Sequence, residues 1–142
     1  MAWLLDTNNL SEIRKPRPEP KVVTFVSGTS LDELHVSAVT LAELRFGIDL
    51  LSQGGTQQAN LTQWLTHTIR PMFNDRVLPV TEDIIFRWRV LMEEGRKSGH
   101  TFSQPDLIIA ATALQHGLTV VTRDHSDFDR SRAPVFNPWE ST

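Results

Sequence analysis

Two short apolar runs dominate what this chain can fold into. Ala2–Leu5 and Thr119–Thr122 each stop within two residues of a carboxylate, Asp6 after the first and Asp124 after the second. Runs this short and this apolar read as strands buried on both faces, which is how strands of parallel sheets look. Between them lie stretches with helical spacing. A helix is predicted over Asn8–Arg14 with Leu10 and Ile13 inward, capped by Asn8 or Asn9, and a short second one over Val22–Val26, ended near Gly28. Glu33–Ser37 reads as a strand. Leu41–Leu51 reads as a helix on Leu41, Leu44, Ile48 and Leu51, and Ala59–Phe73 as another, with Leu61, Trp64, Leu65 and Ile69 inward. Val77–Val80 is a strand that Pro79 confines to an edge or brings to an end. Thr81 caps a helix running to about Lys97, with Glu82 and Asp83 in its first turn. Asp106–Gln115 is a helix closed by Gly117, and Val135–Phe136 a last strand.

Short strands alternating with helices imply an α/β sandwich, with a mainly parallel sheet of about four to five strands flanked by helices. Length fits a single domain over residues 1–142, with enough chain for a real core. The proline-rich "RKPRPEPK", Arg14 to Lys21, comes too early to separate two domains, and reads as a loop between two short helices. In such sheets ligands bind beyond the carboxyl ends of the strands, where Asp6 and Asp124 fall.

Composition narrows the chemistry. With no cysteine, disulfides, thiol catalysis and thiolate zinc sites are excluded together. A net charge of -3 argues against a uniformly basic nucleic-acid coat, though not against a local basic face. No run approaches a membrane span and no signal peptide is visible, so the expected location is the cytoplasm, away from membranes. The five histidines show no paired-ligand spacing, and G-x-S-x-G and P-loop motifs are absent.

What remains is acidic. Asp6, Glu43, Asp106 and Asp124 each abut an apolar element, and Asp127 and Asp129 follow close behind the last. Carboxylates brought together at one sheet edge repel one another unless a cation neutralises them, and an all-oxygen set suits Mg²⁺ or Mn²⁺. Each acid also has an ordinary reading. Thr40–Glu43 and Ser103–Asp106 have capping-box spacing, and Asp124 and Asp127 could sit in a solvated Asx-type turn. Asp6 has the weakest such alternative, because the cap of the next helix is already available in Asn8 or Asn9.

The stretches "LLDTNNLSE", "VSAVTLAELRFGI", "PDLIIAATALQHGLTVVTRDHSDF" and "NPW", in this order over nearly the whole chain, resemble the PIN-domain ribonucleases. More closely they resemble the VapC-type toxins of toxin–antitoxin pairs, FitB-like branch included. The resemblance implies a Mg²⁺- or Mn²⁺-dependent endoribonuclease leaving 5′-phosphate and 3′-hydroxyl ends. It maps the catalytic and metal-holding acids onto Asp6, Glu43, Asp106 and Asp124, with Asp127 competing for the fourth position and Thr7, Asn8 and Thr122 in support. It further implies a homodimer, a VapB-like antitoxin that carries operator DNA binding, and an Arg of the antitoxin entering the acidic pocket. The position after "DTN" is commonly apolar in such proteins, whereas here it is Asn9, which needs a partner if it turns inward.

Two other classes compete: a PIN-like protein that binds its antitoxin without useful nuclease activity, and a structure-specific DNA nuclease. RNA phosphates call for cations. Arg14, Lys15, Arg17 and Lys21 on the proline loop are the first candidates, with Arg45, Arg96, Lys97 and Arg123 behind them. Trp64, Trp88 and Trp139 exceed what a small core needs and are candidates for an interface.

Overall fold

A computed structural model describes residues 1–124 and 126–140, apart from the side chains of Ser126 and Asp127. Among the described residues, five strands form one sheet in the order β3-β2-β1-β4-β5. They are β1 (Trp3–Leu5), β2 (Leu34–Ser37), β3 (Val77–Leu78), β4 (Thr119–Val121) and β5 (Val135–Phe136), and every pairing is parallel. The expectation of a mainly parallel sheet is met in full.

The side-chain period of two sorts each strand between two cores. Leu4 pairs with Val120 and Leu5 with Val121 in the ladder. Leu4 and Val120 join one cluster, Leu5 and Val121 the other. The first cluster is covered by α6 (Glu82–Lys97), α7 (Gln104–His116) and α8 (Ser126–Arg130). The second is covered by α1 (Thr7–Arg14), α2 (Pro20–Ser27), α3 (Ala38–Asp49), α4 (Thr56–Trp64) and α5 (Arg70–Phe73). Leu4, Leu5, Val120 and Val121 are each 0% exposed, which explains why these strands are apolar on both faces.

Several boundaries follow the sequence signals closely. The proline loop separates α1 from α2, whose first turn starts with Pro20. Thr81 caps α6, accepting from the Ile84 N–H at 3.4 Å. Gly117 closes α7 in the left-handed region at φ 67°. β3 is an edge strand and ends at Leu78, before Pro79.

Three local expectations are corrected. The helix predicted over Ala59–Phe73 begins at Thr56 and passes through a π turn at Leu65–Ile69. Leu65, Ile69 and Phe73, all buried, are spaced by four, which would drift around a 3.6-residue helix. The wider turn keeps them on one face, and it relieves the clash between the Pro71 ring and the carbonyl one turn earlier. Second, the cap of α1 is neither Asn8 nor Asn9 but Asp6, whose Oδ1 accepts the Thr7 N–H at 2.8 Å. Third, α3 is capped by Ser37, which accepts from the Val39 N–H at 3.0 Å, so Thr40 lies inside the helix and forms no capping box with Glu43.

Asn9 turns inward and is 0% exposed, yet neither its Nδ2 nor its Oδ1 has a partner among the described residues. A buried amide left unpaired costs about 1–3 kcal/mol. Asn9→Leu should therefore raise stability by about that amount, read as a higher urea midpoint at unchanged slope. A lower midpoint would show that the amide is satisfied in solution.

Candidate metal and catalytic site

The strand order reverses between β1 and β4. From β1 the chain moves toward β2, and it crosses back to β4 on the other side, so the carboxyl ends of β1 and β4 flank the topological switch point. Asp6 ends β1 and its N–H donates to the Val121 carbonyl at 3.0 Å. Thr122 follows β4 and its N–H donates to the Phe136 carbonyl at 3.1 Å. Both site residues are thus held by the sheet itself.

Their side chains meet. The Thr122 hydroxyl donates to Asp6 Oδ2 at 2.9 Å and accepts from Asn8 Nδ2 at 3.1 Å. Asn8 Oδ1 in turn accepts the Arg123 N–H at 3.4 Å, and the Asp124 N–H donates to the Thr122 hydroxyl at 3.2 Å. Asn8 and Thr122 therefore lock the start of α1 to the end of β4, and Thr7 contributes its backbone N–H to Asp6. Asp6 is only 7% exposed. Burial raises its pKa above the ordinary 3.8, and the nearby Asp124 charge adds to the rise; hydrogen bonds from Thr7 and Thr122 oppose it.

Asp106 lies in the first turn of α7 and is half-buried. Because α7 feeds β4 through the Gly117 turn, its N-terminus sits at the carboxyl edge of the sheet, on the same side as Asp6. Ser103 takes the N-cap position but makes no side-chain cap to the helix. Glu43 is exposed in the second turn of α3, which begins where β2 ends. Asp6 and Asp124 are thus electrostatic neighbours, with Asp106 and Glu43 on helices that start at the same edge. Among the described residues, no three acidic or histidine side chains stand close enough together to hold an ion between them. The Asp127 side chain lies outside the described residues.

The cationic candidates separate. Lys15 and Arg17 line a cleft beside the site with Arg123 and Trp139. Arg14 instead lies over the half-buried Trp64 ring at 5.9 Å, and Lys21 is exposed at the start of α2. Trp88 donates to Gln104 Oε1 at 2.9 Å. One anchoring residue escaped the sequence reading: Asn137, in the closing "NPW", donates to the Arg123 carbonyl at 3.3 Å and accepts the Trp139 N–H at 2.9 Å. Its signal was the Asn-Pro pair, a turn former.

The PIN domain family model matches residues 3–133, and the chain belongs to the PIN-domain family. It is 39% identical over 136 residues to Toxin FitB of Neisseria gonorrhoeae, covering 96% of this chain and 97% of that one. It is 36% identical over 137 residues to VapC ribonuclease Y4jK of Sinorhizobium fredii, with 96% and 97% covered. The crystal structure of FitAcB from Neisseria gonorrhoeae superposes with a TM-score of 0.90 at 38% identity, covering 97% of this chain and 99% of that one.

Proposed function

We propose that this chain is a divalent-metal-dependent endoribonuclease, the toxin of a VapBC-type toxin–antitoxin pair. The observation that carries the reading is Asp6: a buried carboxylate at the switch point, beside a second carboxylate, with no cationic side chain paired to it among the described residues. A buried carboxylate without a counter-charge is costly, and a hard cation is the partner its oxygen-only surroundings suit. Asp6 and Asp124 would hold Mg²⁺ or Mn²⁺, with Asp106 and Glu43, on helices that start at the same edge, reaching the ion through bound water. When bound, the ion would lower the pKa of water and offset charge on the phosphodiester.

The chain's own residues do the positioning. Thr7 N–H and the Thr122 hydroxyl each take one Asp6 oxygen, which fixes the plane of the carboxylate. Asn8 holds Thr122 in place and ties it to the β4 end. Water attacks phosphorus, the P–O3′ bond breaks and the 3′ oxygen is protonated, leaving 5′-phosphate and 3′-hydroxyl ends.

The relatives supply the setting. Toxin FitB and a VapC ribonuclease lie at 39% and 36% identity, and another solved relative is FitAB bound to a DNA fragment. We therefore assign this chain a VapB-like antitoxin as partner, operator DNA reached through that antitoxin, a homodimeric state and a cytoplasmic location. Exposed apolar side chains fit such interfaces: Phe46 on α3 and Leu50 just past its end, and Ile85, Phe86 and Val90 on α6. Among the described residues no helix is long and apolar enough to cross a membrane.

The test uses the purified chain on a structured RNA and on its deoxy-substituted copy, with Mn²⁺ or with EDTA. RNA cut only in Mn²⁺, with 5′-phosphate ends, is the expected result. Undiminished cutting in EDTA would refute the metal dependence, and equal cutting of the deoxy copy would make the substrate DNA as well.

A further inference from the structure

A cleft of about 510 Å³ opens beside the acids, between the proline loop and the end of β4. Its floor is organised by Glu12, a buried acid on α1 that accepts from Lys15 Nζ at 3.0 Å and from the Glu19 N–H at 3.0 Å. Those contacts fold the loop back onto α1, and Lys15 holds the Glu12 carboxyl below the usual carboxylate range. Lys15 is thereby neutralised locally. Arg17 and Arg123, facing the same cleft, make no side-chain hydrogen bond or ion pair among the described residues, against Glu19 as the one other acid in the lining.

Arg123 is held in place from several sides. Its guanidinium lies over the Trp139 ring at 5.7 Å, an arrangement that restricts the side chain while leaving its N–H donors available. Its N–H is bound by Asn8 and its carbonyl by Asn137, which also fixes the backbone of Trp139. An exposed arginine ordinarily pays rotamer entropy on binding; one stacked and anchored this way pays less. In the chain it stands between Thr122, which binds Asp6, and Asp124.

We propose that this cleft is a phosphate subsite for the RNA strand, in which Arg123, stacked on Trp139, and Arg17 clamp a phosphodiester flanking the scissile bond. The inference rests on the ribonuclease reading above. Guanidinium matches the two non-bridging oxygens of a phosphodiester in a bidentate pair, and carries position without sequence choice. The subsite is ready-made beside an acidic centre that would by itself repel the strand.

The test is fluorescence anisotropy of a labelled single-stranded ribo-oligonucleotide in EDTA, titrated with salt, for the full chain, for Arg123→Gln, Arg17→Gln and Trp139→Leu in the cleft, and for Arg89→Gln as a control. The Arg123 and Arg17 variants should each bind about 5–10-fold more weakly and lower the salt slope by about 0.7. Trp139→Leu should weaken binding at unchanged slope, because the charge remains. Arg89→Gln, at an exposed cation on α6 outside the cleft lining, should match the parent. In Mn²⁺, Arg17→Gln should raise KM for RNA with kcat within about twofold. Parental affinity and slope in the Arg123 and Arg17 variants, with RNA still cut by the parent, would overturn the subsite and leave the ribonuclease reading standing. A parent that neither binds nor cuts RNA would overturn both. Arg17 sits on an exposed loop, so that arm stands even if Trp139→Leu fails to fold.

Discussion

Asp6→Asn is expected to lower RNA cleavage on the order of 10³-fold, about 4 kcal/mol of transition-state stabilisation, while making the protein harder to unfold at neutral pH. The two effects share one cause. Burial raises the Asp6 pKa above its ordinary 3.8, with Asp124 adding to the rise. Between the unfolded and folded values the folded chain binds more protons, so stability falls as pH rises through that window. Above it the full cost of the buried charge is present. Asparagine keeps the cap on the Thr7 N–H without the charge. The melting temperature of Asp6→Asn in EDTA should therefore exceed that of the parent at pH 7, with the gap closing as pH falls toward 3.8. Adding Mn²⁺ should raise the melting temperature of the parent and leave the variant unmoved, since only a ligand bound to the folded state stabilises it. Parental cleavage by Asp6→Asn would end the proposed chemistry; equal melting curves at all pH values would show that Asp6 is not an uncompensated buried charge.

Phe73→Ala should have the opposite profile. Phe73 is 0% exposed and packs in the cluster under α3–α5, with Leu34 and Val36 of β2. Truncating a fully buried phenylalanine costs about 3–5 kcal/mol in lost transfer and residual cavity. That is a large share of the roughly 5–15 kcal/mol that holds a domain together. A melting temperature lower by roughly 10 °C follows for a chain of this size. The hydrogen bonds that position Asp6 come from Thr7 and Thr122, at the ends of β1 and β4, not from the Phe73 layer. Cleavage per folded molecule in the cold should stay within about twofold of the parent. A loss of kcat larger than the loss of folded protein would mean that α5, which carries Phe73, is coupled to the site.

The sequence alone carried the architecture because the architecture rests on local and periodic signals. Apolar runs marked β1 and β4, Pro79 marked the end of an edge strand, Thr81 marked a cap and Gly117 a stop. These depend on backbone geometry within a few residues, and that information is written in order along the chain. The prominence of Asp6 was legible for the same reason, as a carboxylate abutting a strand with no polar face.

What the tertiary structure decided are relations between residues far apart in the chain. Thr40 and Glu43 have the spacing of a cap, but β2 delivers Ser37 to that role one turn earlier. The π turn arises because three core side chains spaced by four must face one layer, which only the packed core requires. Thr122 reaches Asp6 across 116 residues, and Asn137 seats Arg123 against Trp139, through strand pairings that no local signal encodes. Asn9 is the sharpest case: its burial could be anticipated, but that its amide would find no partner depended on every neighbour the fold brought to it. Periodicity along the chain determines which elements form, whereas only packing determines which polar groups are left to face one another.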